Sequence, residues 1–256
     1  MPKRREPQLP KAAGPTSRAE PMLPTAARNI APPKSTRPIT TFADLGMPFP
    51  LFQADFDIAV EWARATTCGF CATAVEHGFL VGEHQSFPSE NTNKLVVPCA
   101  ACGARNRFPV AAPKVQKVCG CGSKLAFPKR RGKKLFACYP CIQAGRVEFG
   151  HDRAPGDVQR EDLAELERTP TFFANQGERW PNCCGRLMTY IGKWAPADFA
   201  VNAPDGDGQG LLARIIEPGT HAEIEVLWDA LDAGWVDFNV FQCRLCGRLQ
   251  ANEDCD

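Results

Sequence analysis

The hydrophobic and polar positions divide the chain near Phe42. Before it, apolar side chains are sparse among Pro, Ala, Ser and Thr residues, and they are too few to form a core. The same stretch holds eight Lys and Arg residues against two Glu residues. We therefore predict a disordered, basic, Pro-rich tail over residues 1–41 and a folded domain over residues 42–256.

Within the folded part, alternation near the C-terminus gives a clear strand signal. Val236, Phe238 and Val240 alternate with polar residues, which predicts a strand, a cysteine knuckle and a return strand. The other predicted elements are a strand or a short helix over 58–63, a helix over 161–167 with Asp157 as its N-cap, a strand over 187–194, a loop over 203–210 and a helix over 222–231. Together they predict an α+β fold with zinc-ribbon or zinc-knuckle sites on small antiparallel sheets and a few short helices.

Thirteen cysteines, most of them in closely spaced pairs, dominate the candidate chemistry. The N-terminus shows no apolar secretory segment, and no apolar run approaches the roughly 18 residues of a membrane helix. We therefore expect a soluble cytoplasmic protein without a membrane partner. In that compartment thiols stay reduced, so the pairs indicate metal binding rather than disulfides. A disulfide-stapled secreted domain is the alternative.

A tetrahedral zinc site needs two cysteine pairs, and the spacing suggests which pairs combine. The inner set is the sequence-local group Cys99, Cys102, Cys119 and Cys121. The outer set then joins the remaining knuckles, Cys68, Cys71, Cys138 and Cys141. This nesting predicts two Zn²⁺ ions and makes residues 96–134 a zinc-ribbon insert. The third set, which is Cys183, Cys184, Cys243 and Cys246, is either a third zinc site or a metal-free hairpin with Cys184 in the core.

The inner set resembles the small zinc ribbon at the N-terminus of some bacterial thioredoxins. The shared residues are Cys99, Cys102, Asn106, Arg107, Pro109, Cys119, Gly120 and Leu125. The second pair departs from that pattern because one residue, not two, separates its cysteines. No thioredoxin Trp-Cys-Gly-Pro-Cys motif occurs, so the resemblance implies a zinc ribbon and no redox activity.

A longer resemblance runs from about Phe49 to the C-terminus. It rests on Cys138-x-x-Cys141-Ile-x-x-Gly145, Glu167-Arg-Thr-Pro170, Trp180, Cys184-Gly185, Tyr190-Ile-Gly192 and Phe241-Gln-Cys-x-x-Cys-Gly247. In that order these motifs resemble the CbrC family of bacterial proteins, whose first knuckle corresponds to Cys68/Cys71. The family name comes from a protein linked to tolerance of a DNA-cleaving colicin. Two features depart: the insert, and Cys183 and Met188 where relatives tend to have His and Cys.

Four cysteine ligands close a zinc site, so no bound water is activated and such sites are structural in most cases. His151 and His221 are isolated on predicted loops, and Glu161, Asp162, Glu165 and Glu167 indicate a solvated helix face. We therefore expect no catalysis. The resemblance implies an interaction module for toxin tolerance or immunity, with an unidentified protein partner, a toxin among the candidates.

Charge supports a nucleic-acid-binding zinc ribbon as the alternative function. Residues 1–134 hold 20 Lys and Arg against nine Asp and Glu, and the remainder is correspondingly acidic. The candidate nucleic-acid contacts are Arg105, Arg107, Arg130 and Lys133, with Phe108 and Phe127 as stacking candidates. The competing interpretation is that the basic insert docks on the acidic remainder of its own chain.

Overall fold

Short strands make up most of the regular structure. The computed structural model describes residues 39–59, 62–81, 93–110, 117–130, 134–151, 158–220 and 223–255. In these ranges the strands are β1 (Trp62–Thr67), β2 (Ala74–Leu80), β3 (Lys94–Pro98), β4 (Arg105–Pro109), β5 (Phe136–Ala137), β6 (Val147–Glu148), β7 (Asn182–Cys183), β8 (Arg186–Leu187), β9 (Thr189–Trp194), β10 (Val236–Gln242) and β11 (Leu249–Cys255). The helices are α1 (Tyr139–Gln143), α2 (Arg160–Leu166), α3 (Pro196–Asn202), α4 (Gly208–Ile215) and α5 (Ile224–Asp232). The α+β prediction is confirmed.

The described strands form small antiparallel sheets, because hairpin connections join most neighbours. Three sheets have three strands, in the orders β1-β2-β5, β4-β3-β6 and β11-β10-β9, and β7 pairs with β8 alone. The predicted C-terminal hairpin is β10 and β11, with Val240 opposite Ala251. On its other side β10 pairs with β9, with a register shift between Val240 and Phe241.

One hydrophobic core joins the N-terminal half to the start of β9 and the end of β10. Its centre is aromatic: the rings of Phe172 and Tyr190 stack with centroids 4.0 Å apart, and Phe241 packs against both. Leu95 and Val97 of β3 are buried in the same core. The predicted insert therefore shares its packing with the surrounding domain.

A second core lies under three helices on the C-terminal sheet. Phe199 of α3 and Leu212 of α4 are fully buried, and the ring of Phe199 meets that of Phe238 edge-on at 6.1 Å. Gly208 permits the close approach of α4 to α3, because a Cβ there would lie 2.8 Å from the main-chain nitrogen of Ala200.

The predicted loop over 203–210 is wrong in its second half, where α4 begins at Gly208. The side chain of Asp207 accepts a hydrogen bond from the N–H of Gly210, so this Gly/Asp-rich stretch caps a helix. The sequence also missed α3. Gly and Asp residues are typical both of loops and of helix starts, and packing decides which of the two forms.

Several other elements begin or end within a few residues of their predicted bounds. The ambiguous stretch 58–63 holds both types of element, because a 3-10 helix (Phe56–Ile58) precedes β1. The strand predicted over 187–194 is β8 and β9 with a break at Met188. The helix predicted over 161–167 is α2, with Gln159 at its N-cap position and no side-chain hydrogen bond from that residue. Asp157, the predicted N-cap, lies outside the described residues, as do His221 and the predicted tail before residue 39. No helix in the described ranges is long and apolar enough to cross a membrane.

Candidate metal centres

Three groups of four cysteine sulfurs lie close together in the described structure. They are the inner, outer and third sets that the sequence groups, and within each set the four sulfurs lie within 4.8 Å of one another. Neighbouring sulfurs such as those of Cys71 and Cys138 or of Cys99 and Cys121 lie 3.6–3.8 Å apart. A tetrahedron of Zn–S bonds of about 2.3 Å places its sulfurs about 3.8 Å apart, whereas a disulfide needs about 2.05 Å. The sulfur spacing therefore fits a tetrahedral metal.

The outer set joins a hairpin turn to a helix start. Cys68 and Cys71 lie in the turn between β1 and β2, where the N–H of Ala72 donates to the carbonyl of Cys68. Cys138 is the N-cap of α1, and Cys141 follows one helical turn later on the same face. The Sγ atoms of Cys71 and Cys138 are 3.7 Å apart, and the N–H of Cys138 donates to the Sγ of Cys68 at 3.4 Å.

The inner set joins the β3–β4 hairpin to a separate turn. Gly103, with φ of 73°, closes the first turn, since its N–H donates to the carbonyl of Cys99. The side-chain amide of Asn106 contacts the Sγ of Cys119 at 3.7 Å. Although one residue separates Cys119 from Cys121, Cys121 lies 3.6 Å from Cys99, so this spacing still brings four sulfurs together.

The third set is built from two hairpin turns. Cys184 and Gly185 are the central residues between β7 and β8, and both have positive φ, 55° and 71°. A two-residue turn of this kind requires such angles, which favour Asn or Gly over Cys. Cys184 is exposed, so the alternative that placed it in the core is wrong. Cys183 contacts both Cys184 and, at 3.7 Å, Cys246 of the β10–β11 turn.

A buried carboxylate connects the two halves of the third set. Asp162 of α2 is fully buried and accepts hydrogen bonds from Arg186 and, at 3.1 Å, from Arg244. Arg186 follows Cys184 and Gly185, and Arg244 follows Cys243. The hydrogen bond to Arg186 holds the pKa of Asp162 below its usual range against the effect of burial. The prediction that this residue belongs to a solvated face is therefore wrong.

Thiol acidity differs within each set. Hydrogen bonds from Thr73 lower the pKa of Cys71 to about 6. In the same set, burial raises the pKa of Cys138 to about 11. Burial also raises the pKa of Cys183, to about 12, together with hydrogen bonds from neighbouring thiols. Crowded thiolates repel one another, so four can ionise together only when a cation balances their charge.

Three of the four candidate nucleic-acid contacts bind within the chain. Arg107 pairs with the buried carboxylate of Glu148 at 2.8 Å. Arg105 donates to the carbonyl of Gly145 at 2.7 Å, and Arg130 donates to that of Val110 at 2.6 Å. The fourth, Lys133, lies outside the described residues. Phe108 and Phe127, the stacking candidates, pack against each other with centroids 4.9 Å apart.

Sequence reasoning also missed a buried polar network around His151, which was predicted to be isolated. Its Nδ1 lies 2.6 Å from Glu178 and its Nε2 lies 2.8 Å from the carbonyl of Leu166. Glu178 also accepts a hydrogen bond from the N–H of Phe172. These contacts anchor the segment before β7, and no local sequence signal joins residues this far apart.

Comparison with known proteins places the chain in a family without assigning a site. No curated protein and no solved structure gives a significant match. The model of one family, described as the uncharacterised protein family UPF0167, matches residues 58–255. That match includes all twelve cysteines of the three sets. Since it covers most of the 256 residues, the chain belongs to the UPF0167 family.

Proposed function

We propose that the protein is a cytoplasmic zinc protein whose three cysteine sets each hold one structural Zn²⁺. The observation that supports this proposal is the close spacing of the four sulfurs in each set, which fits a tetrahedral ion. Tetrahedral thiolate sites also accept iron, but zinc is the redox-silent ion that such structural sites commonly hold. Each ion would join segments that short strands alone hold weakly, because metal binding contributes folding free energy.

We further propose that the protein acts by binding a protein partner and has no catalytic activity. Four thiolates fill the tetrahedral positions of zinc, so each site leaves no position for a water molecule or a substrate. The CbrC resemblance makes a toxin the first partner class to test. The nucleic-acid alternative has less support, because Arg105, Arg107 and Arg130 already bind groups of their own chain.

Metal analysis of the purified chain tests the zinc proposal. We expect about three zinc ions and no stoichiometric iron per chain under reducing conditions. Cys184→Ser is expected to lower the content by about one ion while the others remain. A folded, reduced protein without zinc would contradict the proposal, and stoichiometric iron would assign the sites to another metal.

A survival assay tests whether the protein confers tolerance of a toxin. Cells that express the chain, or its Cys68→Ser variant as a control, are challenged with a DNA-cleaving colicin. Protection that depends on the intact outer set supports an immunity role. Equal killing with and without the expressed protein would remove toxin tolerance and leave the zinc proposal unaffected.

A further inference from the structure

A groove lies between the Cys68–Cys71 turn and the ribbon; apart from Cys71 of the outer set, its lining has no role in the functions described above. It has a volume of about 220 Å³. One wall is the turn over 69–72, the other is the extended segment 126–129, and β3 supplies the floor through Val96 and Val97. We refer to it as the knuckle groove. Its volume suits one or two apolar side chains rather than an extended small molecule.

Main-chain hydrogen bonds hold the walls of the knuckle groove in place. The N–H of Lys129 donates to the carbonyl of Gly69, and the N–H of Gly69 donates to Phe136, both at 2.8 Å. The N–H of Val96 on the floor donates to the carbonyl of Arg146 at 2.9 Å. A preformed groove binds without the cost of ordering its own backbone.

The lining combines an apolar floor with a cationic rim. Val96 faces the groove, because its neighbours Leu95 and Val97 face the core, and Phe70 is partly buried beside it. Lys129 and Arg146 are exposed at the rim, and within the described residues neither side chain makes an ion pair or a hydrogen bond. These two cations differ in this respect from Arg105, Arg107 and Arg130.

The charged residues in the lining of the knuckle groove, Lys129 and Arg146, are both cationic and so favour an acidic occupant, and the sequence around them is basic. Residues 93–150 contain twelve Lys and Arg residues against one acidic residue, Glu148. A zinc ion with four thiolates carries a net charge of about −2, so the inner and outer sets offset only part of this excess. Such a surface repels a basic partner.

One of the two rings that line the groove, that of Phe127, is not open to a nucleobase. A nucleobase needs an open aromatic face for stacking. Phe127 packs against Phe108, and the ammonium of Lys117 lies over its ring, 5.9 Å from the centroid. The second ring, that of Phe70, lies in the lining with Val96 and Pro128, and this apolar surface suits a branched or aromatic side chain flanked by carboxylates.

We propose that the knuckle groove binds an acidic peptide segment of a partner protein, with one apolar side chain against Val96 and Phe70 and carboxylates on Lys129 and Arg146. The proposal rests on the interaction role given above and names the chemistry of the partner. It requires no residue from the third set or from the C-terminal helices.

The test uses the full zinc-loaded chain and five fluorescein-labelled acidic decapeptides that differ in one central residue: Leu, Ile, Val, Phe or Trp. We expect micromolar binding of at least one peptide, measured by fluorescence anisotropy at physiological salt. The double variant Lys129→Glu/Arg146→Glu should weaken it at least about tenfold, because rim attraction becomes repulsion. Serine at the peptide centre should also weaken it about tenfold. Arg214→Glu, an exposed change on α4, is the matched control and should leave the affinity unchanged.

Several results would overturn the proposal. They are failure of all five peptides to bind, affinity that survives the double reversal, and tighter binding of a single-stranded oligo(dT) that the same reversal abolishes. The last result would assign the groove to nucleic acid. Zinc content is measured on every sample. A zinc-loaded chain without peptide binding refutes the groove alone, whereas a zinc-free chain that binds peptide refutes the zinc proposal alone.

Discussion

Replacing Asp162 by Asn tests whether the buried carboxylate positions the third set. The substitution keeps the side-chain shape but removes the charge that faces Arg186 and Arg244. Breaking a fully buried ion pair costs about 3–5 kcal/mol. The side chains of Arg186 and Arg244 are 34% and 26% exposed. Water therefore offsets part of the loss, and we expect the substitution to cost about 2 kcal/mol.

That loss should appear first in metal affinity at the third set. About 2 kcal/mol corresponds to a roughly thirtyfold weaker binding constant, if the cost falls on assembly of this site. Competition with a chromophoric chelator would show one of three zinc ions released early. The transition temperature should fall by roughly 4–8 °C. Glu161→Gln, one position earlier on the exposed face of α2, is the matched control.

Acid titration adds a second measurement of the same contact. The pKa of Asp162 is lowered in the folded state, so its contribution is fully present above its unfolded pKa of about 4. This contribution disappears as the pH falls through the folded pKa. The stability difference between wild type and Asp162→Asn should therefore be constant above about pH 5 and shrink below about pH 4. Unchanged zinc affinity and an equal difference at every pH would refute the positioning role.

Three further substitutions test the packing described above, each by urea unfolding. Gly69→Ala should cost about 2 kcal/mol, because its Cβ would lie 2.4 Å from the carbonyl oxygen of Lys129. The control Gly120→Ala has open space around it and should be neutral. Equal effects of the two substitutions would contradict the steric clash at Gly69. Tyr190→Phe should cost about 1–2 kcal/mol by removing the 2.9 Å hydrogen bond to Asn239, and a neutral result would show that the bond adds nothing. Glu178→Gln should cost about 2 kcal/mol through loss of the buried charge, and an unchanged midpoint would speak against an ionic contact with His151.

The sequence predicted the features that local spacing encodes. Close cysteine pairs and the alternation in β10 need no knowledge of distant contacts, so the knuckles and the last hairpin are in the predicted places. The grouping of the cysteines into three sets matches the clusters in the structure. Their metal binding stays a prediction.

The sequence did not predict the features that depend on contacts between distant residues. Asp162 and its neighbours on α2 resemble any exposed acidic helix face, and only two arginines from turns far along the chain bury it. The Gly/Asp-rich start of α4 resembles a loop because its helix is stabilised by packing against α3. The predicted insert was bounded by composition, which carries no information about the core that Leu95 and Val97 share.

The nesting of the inner set within the outer set has a consequence for the order of assembly. Contact between Cys102 and Cys119 spans 17 residues, whereas contact between Cys71 and Cys138 spans 67. If the probability of loop closure falls with the three-halves power of loop length, the 17-residue loop closes about eightfold more readily than the 67-residue loop. On the ribosome its cysteines also emerge before Cys138, and the third set waits for Cys246. If the three sets bind zinc as proposed, this order of emergence predicts loading from the innermost site outward, with the last ion bound when nearly the whole chain has been made.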